Sequence, residues 1–129
     1  MNVQLVCTTD DPVDTLEHHR ALRADRTFPV TMLPAFRADM AMNIERGSAF
    51  TAYVRKLSAA ADVDITTYAS FLEALRKRHA YFHTEGCRLS DHGLETAYAE
   101  DFTEAEVAQA FAAADWNVAT WRFGGRAPV

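Results

Sequence analysis

A chain of 129 residues, 49% hydrophobic and 24% charged, has the composition of a globular protein, not a disordered one. Its net charge of −5 and sequence pI near 5.4 give no electrostatic ground for binding nucleic acid. No apolar run approaches the roughly 18 residues a membrane helix needs, so neither a membrane nor a nucleic-acid partner is expected.

Val3 to Cys7 reads as a short strand, and it carries no basic flank of the kind that marks a secretion signal. Thr8-Thr9-Asp10-Asp11-Pro12 follows. Asp11 before Pro12 has the pattern of a helix start, because Asp accepts from free backbone N–H groups and Pro suits the first helical position. Val13, Leu16 and Arg20 keep helical spacing, and the helix is expected to end near Asp25. His18 and His19 are adjacent and therefore face different sides of it, one to pack and one toward solvent.

Phe28 to Leu33 is the second strand, with Arg37 just past its end. A loop or short helix from Asp39 to Gly47 leads to two helices with no strand between them. The first follows a Ser48 cap and carries Phe50, Tyr53, Val54 and Leu57; the second spans about Thr66 to Thr84. Cys87 to Ser90 reads as a third, buried strand. It stops at Asp91-His92, where Gly93 allows a sharp turn. Thr103 and Glu106 form a capping box for a last helix through Val107, Ala110, Phe111 and Ala114.

Strands alternating with helices imply a parallel sheet, and crossover connections put the C-terminal strand ends on one side. Asp10, Asp11, Arg37, Asp91 and His92 all fall at such ends. They are candidates for one polar pocket, since parallel α/β folds place chemistry there. A plainer reading stays open for each. Asp10 and Asp11 serve as caps alone, Arg37 pairs only with Asp39, Asp91 caps a turn and His92 is an exposed loop residue. His79 and His83 have the spacing of two metal ligands but no His-Glu-x-x-His context. With Arg76-Lys77-Arg78 they read as a solvated face. Cys7 and Cys87 support neither a disulfide framework nor a zinc ribbon, which fits a reducing cytoplasm.

Four blocks resemble the uronate (glucuronate) isomerase family in wording, order and spacing. They are Thr8-Thr9-Asp10-Asp11-Pro12, Leu16-Glu17-His18-His19, Leu33-Pro34-Ala35-Phe36-Arg37, and Gly86-Cys87-Arg88-Leu89-Ser90-Asp91-His92-Gly93-Leu94. The likeness covers about Val3 to Ala114 and leaves 115–129 as a divergent tail. It implies a divergent member of the amidohydrolase superfamily and a (β/α)8 TIM barrel. A complete barrel takes about 250 residues or more. The chain is therefore expected to be a middle segment, α/β, with about three parallel strands and an inserted helical pair.

The resemblance also implies an activity: interconversion of D-glucuronate with D-fructuronate and of D-galacturonate with D-tagaturonate. Arg37 matches a substrate-contacting arginine and Asp91 an active-site aspartate, with His92 its motif neighbour. Asp10 and Asp11 match a family motif that assigns them no individual roles, and they join Arg37 and His92 as substrate-binding candidates. Ala38 and Met40 depart from the family's usual Arg-Pro-Asp-Lys wording around the arginine. A divalent metal, zinc, is implied for the complete enzyme, with no ligands identified in this chain. The chain tested alone is expected to be inactive and, with two open strand edges, to be a homo-oligomer. The alternatives are a non-catalytic remnant or truncated fragment of the family, and a uronate-binding module.

Overall fold

The structure is a computed structural model and describes residues 2–94, 96 and 99–113. In chain order the elements are strand β1 (Leu5–Cys7), helix α1 (Glu17–Ala24), strand β2 (Thr31–Leu33), the short helix α2 (Asp39–Met42) and a 3-10 turn (Ile44–Arg46). Helices α3 (Ser48–Ala61), α4 (Tyr68–Thr84) and α5 (Glu104–Ala113) follow. The first two predicted strands are recovered with trimmed ends, and so are the helices after Gly47; the third strand and the start of the first helix differ. Ala114 and the tail beyond it lie outside the described residues.

β1 and β2 pair in parallel, Leu5 opposite Thr31 and Cys7 opposite Leu33, with α1 as the crossover. The ladder continues past both strands. Thr8 and Asp10 donate their N–H groups to Leu33 O and Ala35 O, each at 3.0 Å. Isolated parallel bridges then join Asp10 to Phe36 and Phe36 to Ser90. The predicted third strand is thus reduced to one bridge residue. The physical reason lies in its first half. Cys87 N–H closes the end of α4 by donating to Phe82 O at 3.0 Å, and Gly86 takes φ +101° to permit it. The glycine that needs left-handed freedom is therefore Gly86; Gly93 has no positive φ.

The predicted helix start at Asp11-Pro12 is also corrected: α1 begins at Glu17. Asp11 accepts from Val13 N–H, and Asp14 accepts from Asp11 N–H, which closes a turn. The carbonyls that a helix would use are taken from outside. Arg78 on α4 donates to Pro12 O at 2.6 Å and to Asp14 O at 2.7 Å, and to Ala60 O at 3.1 Å. Arg78 is consequently buried, at 7% exposure, and does not belong to the solvated face expected of Arg76-Lys77-Arg78.

Two apolar clusters hold the chain together, and α4 contributes to both. Phe71 and Ala74 join Phe50, Tyr53, Val54 and Leu57 of α3 and Phe111 of α5. Phe82 joins Leu16, Phe36 and Cys87 beneath the strand ends. Capping fits this layout. Thr67 and Ser70 form a reciprocal capping box at the start of α4. Thr103 and Glu106 do the same for α5, and the Thr103 hydroxyl and N–H hold the Glu106 carboxyl below its usual range. The N-cap of α3 is Gly47, with Ser48 as the first helical residue. His19 is buried and His18 exposed, as their adjacency requires.

Candidate active site

The parallel register carries three segments to one end, where Asp10, Arg37 and Asp91 meet. Arg37 leaves β2 with its N–H on Asp10 O at 2.9 Å. Its Nη2 donates to Asp91 Oδ2 in a short, charge-assisted contact. Thr9 Oγ1 donates to the same carboxylate oxygen at 3.4 Å. The hydrogen bond to Asp91 raises the Arg37 pKa further, against some desolvation, so the guanidinium is firmly cationic. Arg37 Nε and Asp91 Oδ1 are both buried atoms with no hydrogen-bond partner among the described residues. Each member of the Arg37–Asp91 pair therefore keeps one side-chain atom without a hydrogen-bond partner among the described residues.

A second layer is built on Asp39, at the start of α2. His92 Nδ1 lies 3.0 Å from Asp39 Oδ1, Gly93 N–H donates to Asp39 Oδ2 at 2.8 Å, and Arg37 Nε is 3.9 Å from the same oxygen. Gly93 is small for a reason: a Cβ there would stand 3.2 Å from Asp39 Oδ2. Asp39 thus ties the Asp91–Gly93 loop to the segment that carries Arg37. His92 joins the site through Asp39 and does not touch Arg37 or Asp91 directly.

Partial desolvation works against the charge on Asp39. The Gly93 N–H, His92 and Arg37 outweigh it and hold the carboxyl below its usual range. A depressed carboxyl contributes its stability above the ordinary Asp value and loses it as pH falls through the lower folded value. The Gly93 amide signal is accordingly expected to hold through about pH 4, the ordinary Asp region, and to collapse only below it. A Gly93 amide that titrates at or above the ordinary range would remove Asp39 as its anchor.

Asp11 is brought close but serves differently. Its carboxylate accepts from Val13 N–H and its own N–H donates to Asp14, within a turn that starts no helix. Burial raises its pKa, with Val13 and Tyr53 opposing and the charges of Asp14 and Asp39 adding to the rise. The Tyr53 hydroxyl lies beside it, buried and outside hydrogen-bond geometry, and burial followed by the Asp11 charge pushes the phenol upward. Asp10 uses its carboxylate on Thr8 Oγ1 at 2.6 Å and Ala35 N–H at 3.3 Å. The sequence reading names Asp39 only as a pairing partner for Arg37, and gives Thr8 no role of its own in the site. For Asp39 a signal existed, an acid at a helix start two residues past the arginine. Among the described residues no three His, Cys, Asp or Glu side chains are gathered as metal ligands. His79 and His83 instead border a separate cleft of about 330 Å³ with Cys87, Arg88, Leu89 and Ser90.

Comparison with known proteins sets these segments in a family. The glucuronate isomerase family matches residues 1–120. Uronate isomerase from Cellvibrio japonicus is 49% identical over 110 residues, 85% of this chain and 23% of the relative. The Bacteroides thetaiotaomicron and Bacillus subtilis uronate isomerases are 51% and 47% identical over stretches of the same size. The chain therefore spans 23% of the length of these curated relatives. The crystal structure of uronate isomerase from Thermotoga maritima superposes with a TM-score of 0.81 at 36% identity, over 95% of this chain and 26% of that one. Glucuronate isomerase from Caulobacter crescentus gives 0.76 at 27% identity, over 88% and 23%. With residues 1–120 matched, the chain belongs to the glucuronate isomerase family.

Proposed function

We propose that these residues supply the carboxylate-gripping wall of a uronate isomerase site, in a cytoplasmic enzyme built on a (β/α)8 barrel. One observation carries the proposal: Arg37 and Asp91 pair at the strand ends, and each keeps a side-chain atom, Nε and Oδ1, without a hydrogen-bond partner among the described residues. Arg37 presents a planar fork of donors, which matches a sugar carboxylate in two parallel hydrogen bonds. Asp91 presents an acceptor to the neighbouring hydroxyl or C–H.

The reaction moves a proton between C2 and C1 through an enediol. It needs a base near C2, an acid for the carbonyl oxygen and a cation for the carboxylate. Arg37 is the cation, and Asp91 is the base or orients it. His92 and Asp39 hold the loop that carries Asp91, and Asp10 fixes the backbone of Arg37. The similarity to uronate isomerases supports the substrate class, and the enzyme's divalent metal, zinc, belongs to the same proposal. The described residues offer no ligand set that fits a metal, so no step here runs through one. Exposed Val3, Leu5, Val6 and Leu89 beside the short sheet support self-association as part of the same reading.

The test is binding of D-glucuronate to the chain, followed through the Arg37 Nε–H resonance, with D-glucose as the control that lacks a carboxylate. Glucuronate is expected to shift that resonance and glucose is not. Arg37→Ala should weaken binding by about 2 kcal/mol or more, roughly thirtyfold. Arg37→Lys should recover only part, because a point charge replaces the fork. Equal responses to the two sugars would overturn the carboxylate assignment.

A further inference from the structure

Behind the Arg37 segment lies a half-buried polar chain that the proposed reaction does not use directly. His19, on α1 and 6% exposed, places Nε2 2.7 Å from Thr8 Oγ1. Thr8 Oγ1 lies 2.6 Å from Asp10 Oδ2, and 3.3 Å from Leu33 O. Asp10 Oδ2 also accepts from Ala35 N–H at 3.3 Å and stands 3.8 Å from His19 Nε2.

A hydroxyl has one proton, and an ionised carboxylate can only accept. The 2.6 Å contact with Asp10 therefore takes the Thr8 proton, because the carboxylate has none to give, whereas His19 Nε2 at 2.7 Å can carry its own. Thr8 Oγ1 then has only lone pairs for His19, so Nε2 must carry a hydrogen. The direction of the chain is fixed: His19 donates to Thr8, and Thr8 donates to Asp10. At its end Asp10 holds the strand of Arg37 three times, through its N–H to Ala35 O, its carbonyl to Arg37 N–H and its carboxylate to Ala35 N–H. Side-chain networks of this kind fix one orientation when every member is satisfied.

We propose that His19 is a positioning residue for Arg37, acting through Thr8 and Asp10. It rests on the reading of Arg37 as the carboxylate grip. By holding Thr8, His19 keeps the Asp10 carboxylate turned onto the Ala35 amide, and that sets where the Arg37 backbone leaves the sheet. A half-buried carboxylate that lost Thr8 would be short of a donor and would turn toward another. The cationic Arg37 is the strongest donor at that strand end.

The test uses the 129-residue chain and its variants. Nitrogen NMR of His19 in the parent is expected to show a protonated Nε2; a bare Nε2 would overturn the proposal at once. His19→Leu should shift the Arg37 Nε–H resonance and weaken D-glucuronate about tenfold. His19→Gln, whose amide can still donate, should restore both. Thr8→Val should reproduce the loss and Thr8→Ser the recovery, and this pair decides the matter should His19→Leu fail to fold. If the parent binds no uronate, the reading of Arg37 fails, while the Arg37 resonance in the four variants still judges the positioning role. Folded His19→Leu and Thr8→Val chains with an unmoved Arg37 resonance would overturn it.

Discussion

Replacing Arg78 by leucine is expected to lower the thermal midpoint of the chain by on the order of 10 °C, the largest effect of any single polar substitution. Hydrogen bonds to charged groups are worth about 1.5–3 kcal/mol each, and orphaned buried acceptors cost a similar amount. Arg78 satisfies the carbonyls of Pro12, Asp14 and Ala60, and its guanidinium lies over the Tyr81 ring, 4.2 Å from the centroid. Even with strong non-additivity a loss of about 3 kcal/mol follows, and each kcal/mol moves the midpoint of a domain this size by about 4 °C. Burial lowers the Arg78 pKa from its very high ordinary value, which leaves it charged at neutral pH. Arg78→Lys should fall between, since one ammonium cannot reach three carbonyls on two segments. Thermal unfolding followed by circular dichroism decides it: a leucine variant within a degree or two of the parent would show that the three contacts contribute nothing.

Phe82→Ala is expected to cost about 3–5 kcal/mol, the usual range for a buried phenylalanine. Phe82 is fully buried and meets the Phe36 ring edge-on at 5.2 Å. Phe36 in turn carries the bridges to Asp10 and Ser90 and precedes Arg37. A cavity at Phe82 should therefore loosen the strand ends as well as weaken the fold. Phe71→Ala, in the other cluster, is the control. Both variants should lose comparable stability in urea. Only Phe82→Ala should shift the Arg37 Nε–H and Gly93 amide resonances in molecules that remain folded. Equal shifts in both would mean that the two clusters do not act separately on the site.

What could be read from the sequence follows the range of the interaction. Helices α3, α4 and α5 are legible because apolar spacing, and for α5 the cap, are local signals, carried by residues such as Phe50, Tyr53, Phe71 and Thr103. The parallel pairing and the meeting of Asp10, Arg37 and Asp91 followed from crossover geometry once the strands were placed. The misplaced helix start had a distant cause: Arg78 takes the carbonyls of Pro12 and Asp14, 64 or more residues away in sequence. Cys87 to Ser90 has strand-like residues, yet closing α4 claimed the backbone of Cys87. Asp39 is legible only as a partner for Arg37, and Thr8 not at all, because their further roles appear only when His92, Gly93 and His19 arrive from other segments.

Leu16, where the loop after β1 turns into α1, stands under two demands that no single residue type meets together. Its backbone is left-handed, with φ 55° and ψ 25°, a conformation that costs an L-residue about 1–2 kcal/mol. Its side chain is nonetheless 3% exposed, packed with Phe36, Phe82 and Cys87, and such burial returns about 1.5–3 kcal/mol. Glycine would suit the torsion and leave the pocket empty; a β-branched residue would fill the pocket and suit the torsion worst. The twist in the chain is thus held under tension by the core beneath it. Once the leucine side chain leaves its pocket the torsion has no reason to persist, so the loop from Asp10 to Leu16 is latched: it stays shut or springs open as one piece, without fraying residue by residue.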